Sequence, residues 1–183
     1  LFPYTTLFRS SPIRRASFLG DSLCQNRAMR KIIQSEVPVD YVDTSFLKGL
    51  LGYNTRRATL MIFERFDERV AEYALTPVDF SVLCLIGRNP NITPSQLCSV
   101  LALLPPNLAK ILKRFSKRDL IQRVNPASDK RAVMLSLSPE GKKLLKKVEK
   151  IIVDLEREAA SQLTDKQLAV LMESLQKVYS QFR

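Results

Sequence analysis

Over 183 residues the apolar spacing predicts a mainly α-helical protein with a single small β hairpin. Three observations carry that expectation. Polar caps followed at once by proline recur at Thr76-Pro77, Thr93-Pro94 and Ser138-Pro139, and each such pair is a helix start. Between them, apolar residues return every three or four positions. Only once, between Ile121 and Leu137, does the period fall to two.

The elements follow in order. From about Asp43 to Ala74 there is no proline, and Phe46, Leu47, Leu50, Leu51, Tyr53, Met61, Phe63, Phe66 and Val70 fit one long helix, eased near Gly49 and Gly52. Thr76 opens a second helix that ends near Gly87, where Arg88-Asn89-Pro90 stops it. Thr93-Pro94-Ser95-Gln96 is a full capping box opening a short third helix, which must end before Pro105-Pro106. Those prolines can open a helix but not sit inside one. The stretch to Arg118 puts Leu108, Ile111, Leu112 and Phe115 on one face and Lys110, Lys113, Arg114, Lys117 and Arg118 on the other. Three compact helices with a tight turn before the last make a helix-turn-helix. The hairpin after Asp119 turns through Asn125–Arg131, and a hairpin directly after such a helix is a wing. Ser138-Pro139 then opens a helix with the stripe Leu144, Leu145, Val148, Ile151, Ile152, Leu155 and Ala159. Thr164 caps the last helix, striped by Leu168, Leu171, Leu175, Val178 and Phe182. So small a domain cannot cover these long stripes alone. A second copy, joined through a two-fold, is the expected partner.

Composition narrows the chemistry. The chain has no histidine, only five glycines and three scattered cysteines (Cys24, Cys84, Cys98) without metal spacing. The commonest general base, the commonest metal ligand and a phosphate-cradling glycine loop are therefore missing, so no catalytic constellation, metal site or cofactor is expected. No apolar run approaches the roughly 18–20 residues that cross a bilayer. The net charge is +11, and the window 104–150 alone carries +9, against −2 for 36–103 and −1 for 151–183. A concentrated basic block faces a polyanion more often than it merely aids solubility. The opening LFPYTTLFRS reads like a translated sequencing adapter, and Met29 is the first methionine. Residues 1–28 are thus expected to be a non-native or disordered leader, the remaining 155 residues carrying +8. A native basic arm or targeting peptide is the other reading of that segment.

The wing and its exit, Asp129-Lys130-Arg131 running through Val133-Met134-Leu135-Ser136-Leu137 to Ser138-Pro139-Glu140-Gly141, resemble the MarR family of winged-helix regulators. That family shows Asp-x-Arg, a hydrophobic strand, then Leu-Ser/Thr-x-x-Gly. The likeness extends from about residue 45 to the end. It departs at Asp119, where the family usually has Gly, and at Leu104, which replaces a polar N-cap. The resemblance implies a homodimeric DNA-binding regulator of transcription, cytoplasmic and bound to the nucleoid, rather than an enzyme. It implies a recognition helix in the major groove of double-stranded DNA, with Pro106, Asn107 and Lys110 at the base edges. Asn suits adenine and Lys suits guanine. Lys113, Arg114 and Lys117 would meet phosphates. Arg131 would enter the minor groove with Asp129 supporting it, and Lys130 would touch a phosphate.

The resemblance further implies a repressor released from a pseudo-palindromic operator by a small-molecule effector. Tyr53, Arg57, Phe63 and Phe80 could line a pocket for an aromatic or phenolic effector, or the aromatics could be core and Arg57 a surface charge. Cys84 and Cys98, set among apolar residues, are expected to be inert buried thiols. The expected division is an N-terminal segment and dimerisation helix over 29–75, a DNA-binding domain over 76–138 and C-terminal dimerisation helices over 139–183. Two other readings stand beside this one. A non-specific architectural binder would need only the charge, and a winged helix that has lost DNA binding would serve as a protein-interaction module.

Overall fold

The computed structural model describes residues 42–124 and 133–180. Its helices are α1 (Ser45–Lys48), α2 (Leu51–Val70), α3 (Pro77–Arg88), α4 (Pro94–Leu101), α5 (Pro105–Lys117), α6 (Pro139–Ala159) and α7 (Asp165–Ser180), with strands β1 (Ile121–Val124) and β2 (Met134–Leu137) between α5 and α6. The mainly α architecture with a small antiparallel sheet is the one expected. The leader, residues 29–41 and the hairpin tip, with Asp129, Lys130 and Arg131, lie outside the described residues.

One expected helix is two. The chain breaks at Gly49 and Leu50, where Leu50 turns extended (φ −95°, ψ 128°), so α1 and α2 are separate rather than one eased rod. Asn54 Nδ2 donates to the carbonyls of Lys48 and Leu50, tying the break down. After α2 a single 3-10 turn (Ala71–Tyr73) leads to α3.

The starts of α3 and α4 are reciprocal capping boxes. The Asp79 amide donates to Thr76 Oγ1 and the Asp79 carboxylate accepts from the Thr76 amide, while Thr93 and Gln96 repeat the device. Helix α5 starts differently. Its N-cap is Leu104, which makes no side-chain cap, and its first two residues are prolines. Packing holds it instead. Leu108, Ile111, Leu112 and Phe115 are all buried, and each such side chain contributes about 1.5–3 kcal/mol when removed from water. They join Phe66, Val70, Val82, Leu83, Ile86, Leu97, Leu135, Val148 and Leu155 in one core.

β1 and β2 pair antiparallel with Ile121 opposite Leu137 and Val124 opposite Met134. A third, minimal strand joins them: Ile92 forms a bridge with Leu135, whose amide donates to the Ile92 carbonyl at 2.9 Å. The hairpin base is fastened to the end of α5. Asp119 there takes a left-handed conformation (φ 51°), which Asp tolerates better than most residues. Ser138 Oγ donates to the Asp119 carbonyl and accepts from the Gly141 amide, and the Ser138 amide donates to the Leu120 carbonyl. Position 141 has to be glycine, since a Cβ there would lie 2.0 Å from the Leu120 carbonyl oxygen.

The long helices α2 and α6 are joined by ion pairs from Arg65 and Arg69 to Glu158. These guanidinium groups, Arg69 first, hold the Glu158 carboxyl below its usual range. Helix α7 buries none of its residues.

Candidate nucleic-acid interface

The rigid back of α5 fixes what its front presents. Lys110, Lys113 and Lys117 are exposed, opposite the four buried apolar residues. Pro106 is exposed and Asn107 half-buried at the leading end. The structure therefore brings Pro106, Asn107, Lys110, Lys113 and Lys117 onto one accessible helix. Lys142, Lys143, Lys146, Lys147 and Lys150 of α6 are all exposed as well.

Arg114 is not the free cation the helix pattern suggests. Its Nη2 donates at 2.5 Å to Oδ1 of Asp79, a carboxylate that is 3% exposed, although the Arg114 side chain itself stays 52% exposed. The same carboxylate closes the α3 capping box through Oδ2, at 3.0 Å from the Thr76 amide. One buried group thus caps α3 and anchors α5. Arg118 adds a second tie, donating to the carbonyls of Tyr73 (2.8 Å) and Ala74 (3.2 Å) where the 3-10 turn ends. Sequence reading missed Asp79 as an anchor because its partner lies 35 residues on, and its role as a cap already accounted for it. Arg123, exposed on β1, is a further cation of the hairpin that sequence reading did not single out.

Comparison with known proteins bears on this arrangement. The model of the MarR family matches residues 75–133, from the start of α3 to the foot of β2. The multiple antibiotic resistance protein MarR of Escherichia coli (strain K12) is 31% identical over 124 residues, which span 64% of this chain and 85% of that protein. The chain belongs to the MarR family. It is accordingly a winged-helix transcriptional regulator and not an enzyme. Among solved MarR-type structures, the transcriptional repressor CouR bound to a 23-mer DNA duplex is 31% identical, with a TM-score of 0.71 over 75% of this chain and 98% of that one. CouR bound to p-coumaroyl-CoA is 29% identical, with a TM-score of 0.67 over 75% and 97%. A mutant MarR from E. coli complexed with operator DNA is 26% identical, with a TM-score of 0.66 over 75% and 99%.

The remaining candidate residues of this MarR-family chain are more dispersed. Phe80 packs against Phe66 of the core, ring centroids 6.2 Å apart. Tyr53 is half-buried on α2, while Arg57 and Phe63 are exposed there. A shallow, open apolar surface on α7 is lined by Lys166, Gln167, Val170, Leu171 and Ser174, and none of the four expected effector residues belongs to it. Cys84 and Cys98 are half-buried rather than fully buried. Burial, reinforced by Glu149 and opposed by Arg88, pushes the Cys84 thiol up to about 11. At neutral pH that leaves very little thiolate. Among the described residues no group of His, Cys, Asp or Glu is arranged to hold a metal ion, and no single helix is long and apolar enough to cross a membrane.

Proposed function

We propose that this protein is a cytoplasmic, homodimeric repressor that reads a pseudo-palindromic operator and leaves it when a small aromatic or phenolic effector binds. The observation that carries the reading is the two-sidedness of α5. Four buried apolar side chains and the Asp79 and Tyr73–Ala74 ties fix its back, while Lys110, Lys113 and Lys117 stand exposed on its front. In the major groove, Pro106, Asn107 and Lys110 face base edges. Lys113 and Lys117, with the exposed side of Arg114, face phosphates and supply affinity without sequence information. Arg131 enters the minor groove, oriented by Asp129, with Lys130 on a phosphate.

Dimerisation is supported by the apolar surface that one protomer leaves open. Phe46 is 78% exposed, and Leu47, Leu50, Leu51, Leu171, Met172 and Val178 are exposed on α1, the start of α2 and α7. The N-terminal segment and residues 139–183 form the dimer body, and residues 76–138 are the DNA-reading part. Effector release is supported by the similarity to CouR, which has been solved both with a DNA duplex and with p-coumaroyl-CoA; Tyr53, Arg57, Phe63 and Phe80 are the residues assigned here to a small aromatic or phenolic effector.

The test is selection from a random duplex library at roughly physiological salt, where non-specific binding is suppressed. An enriched inverted repeat, bound more weakly after Arg131→Ala with folding and dimerisation intact, is the expected result. Binding without sequence preference that vanishes as salt rises would instead make this an architectural protein.

A further inference from the structure

We propose that the leading edge of α5 selects thymine through its C5-methyl group, with Leu104 as the specificity-determining residue. The proposal deepens the operator-reading function above and rests on it. Three features of the structure meet at this edge. First, it is carbon-rich and open to solvent: Leu104 is 66% exposed, and Pro105, Pro106 and Ala109 are exposed beside it. Second, its backbone has no free amide with which to grip a phosphate. Helix starts hold anions through free amides, but Pro105 and Pro106 have no N–H, and the amides of Asn107 and Leu108 both donate to the Leu104 carbonyl, at 2.9 and 3.2 Å. Third, Lys110 and Lys113 stand exposed in the following turns of the same helix. An apolar protein surface would have to desolvate those cations, whereas a DNA groove neutralises them.

A major groove offers one apolar group on its base edges, the methyl of thymine. Leu104 and its neighbours therefore discriminate by contact with that methyl. Asn107, half-buried on the same turn, adds a side chain suited to adenine. Together they favour A·T pairs at the position in each half-site that faces the start of α5.

The experiment uses the full chain and the duplex enriched by selection. Each thymine of a half-site is replaced in turn by deoxyuridine, which keeps every hydrogen-bonding group and loses only the methyl. We expect one or two positions per half-site to weaken binding about fourfold, and about sixteenfold when both half-sites are altered, the factor that burying one methyl-sized group supplies. Leu104→Ala and Leu104→Ser should erase most of that penalty. The side chain is already largely solvated, so circular dichroism should show both variants folded as the wild type is. Uniform tolerance of deoxyuridine in a duplex still selected over random sequence would overturn the methyl contact alone. An undiminished penalty in both Leu104 variants would overturn Leu104 as the reader. Failure to enrich any sequence would remove the operator-reading function itself, and the proposal with it.

Discussion

Replacing Arg114 by alanine is expected to cost more stability than neutralising its partner. The two groups sit in unequal surroundings: the Asp79 side chain is 3% exposed and that of Arg114 is 52% exposed. Breaking a fully buried pair by deleting one member costs about 3–5 kcal/mol, because a charge is left uncompensated. Here the arginine side is half in water, which screens the pair, so we expect about 2–3 kcal/mol for Arg114→Ala. Among the described residues the carboxylate would keep the Thr76 amide, at 3.0 Å. Asp79→Asn leaves no buried charge, keeps an oxygen for the cap and releases Arg114 to solvent, at a cost of about 1 kcal/mol. The double variant should resemble Asp79→Asn, and so be more stable than Arg114→Ala alone. Urea unfolding followed by circular dichroism at one fixed protomer concentration measures this, with the Arg114→Ala midpoint lowered by about 1 M or more. The reasoning fails if Arg114→Ala costs no more than Asp79→Asn, or if adding Asp79→Asn destabilises the Arg114→Ala protein further.

Ending the chain after Leu163 removes α7, in which no residue is fully buried; a folded monomer is expected by sedimentation, and a dimer would show that α7 is not part of the seam. Cys84, raised from its ordinary 9.0 to about 11, should react with iodoacetamide at pH 8 about 100-fold more slowly than in the urea-unfolded chain; equal rates would mean that burial does not protect it. Glu158, whose carboxyl is lowered by Arg69 and Arg65, should stabilise the protein above its ordinary 4.5 and lose that effect as pH falls through its folded value. The stability difference between wild type and Glu158→Gln should therefore shrink as pH drops below about 4.5, and a gap that widened instead would refute the pairing.

What sequence reading captured and what it missed divide along the distance over which each interaction acts. Thr76-Pro77, Thr93-Pro94, Ser138-Pro139 and Thr164 are local devices, each bonding within four residues, and each sits where it was placed. The row from Leu108 to Phe115 was legible because a burial stripe is written into spacing alone. The break at Leu50 was harder, since Gly49 signals flexibility without saying whether the helix bends or stops. Ile92 gave no sign of strand character, because one residue in a turn has no period; only its pairing with Leu135 across the fold creates it. The ties from Arg114 and Arg118 are likewise long-range. On the helix pattern these arginines are indistinguishable from Lys113 and Lys117, and nothing short of tertiary structure separates an anchor from a free cation.

Ser138 and Gly141 fasten the base of β1 and β2 to the end of α5, which in the function proposed above would set the spacing between helix and strands. On the function proposed above, a helix and a strand pair tied together at Asp119, Leu120 and Ser138 would reach two adjacent grooves at a set separation. A duplex whose grooves fall elsewhere has to twist, narrow or bend to fit, and the energy of that deformation depends on base steps no side chain touches. Part of the selectivity of such a regulator then resides in the stiffness of the DNA.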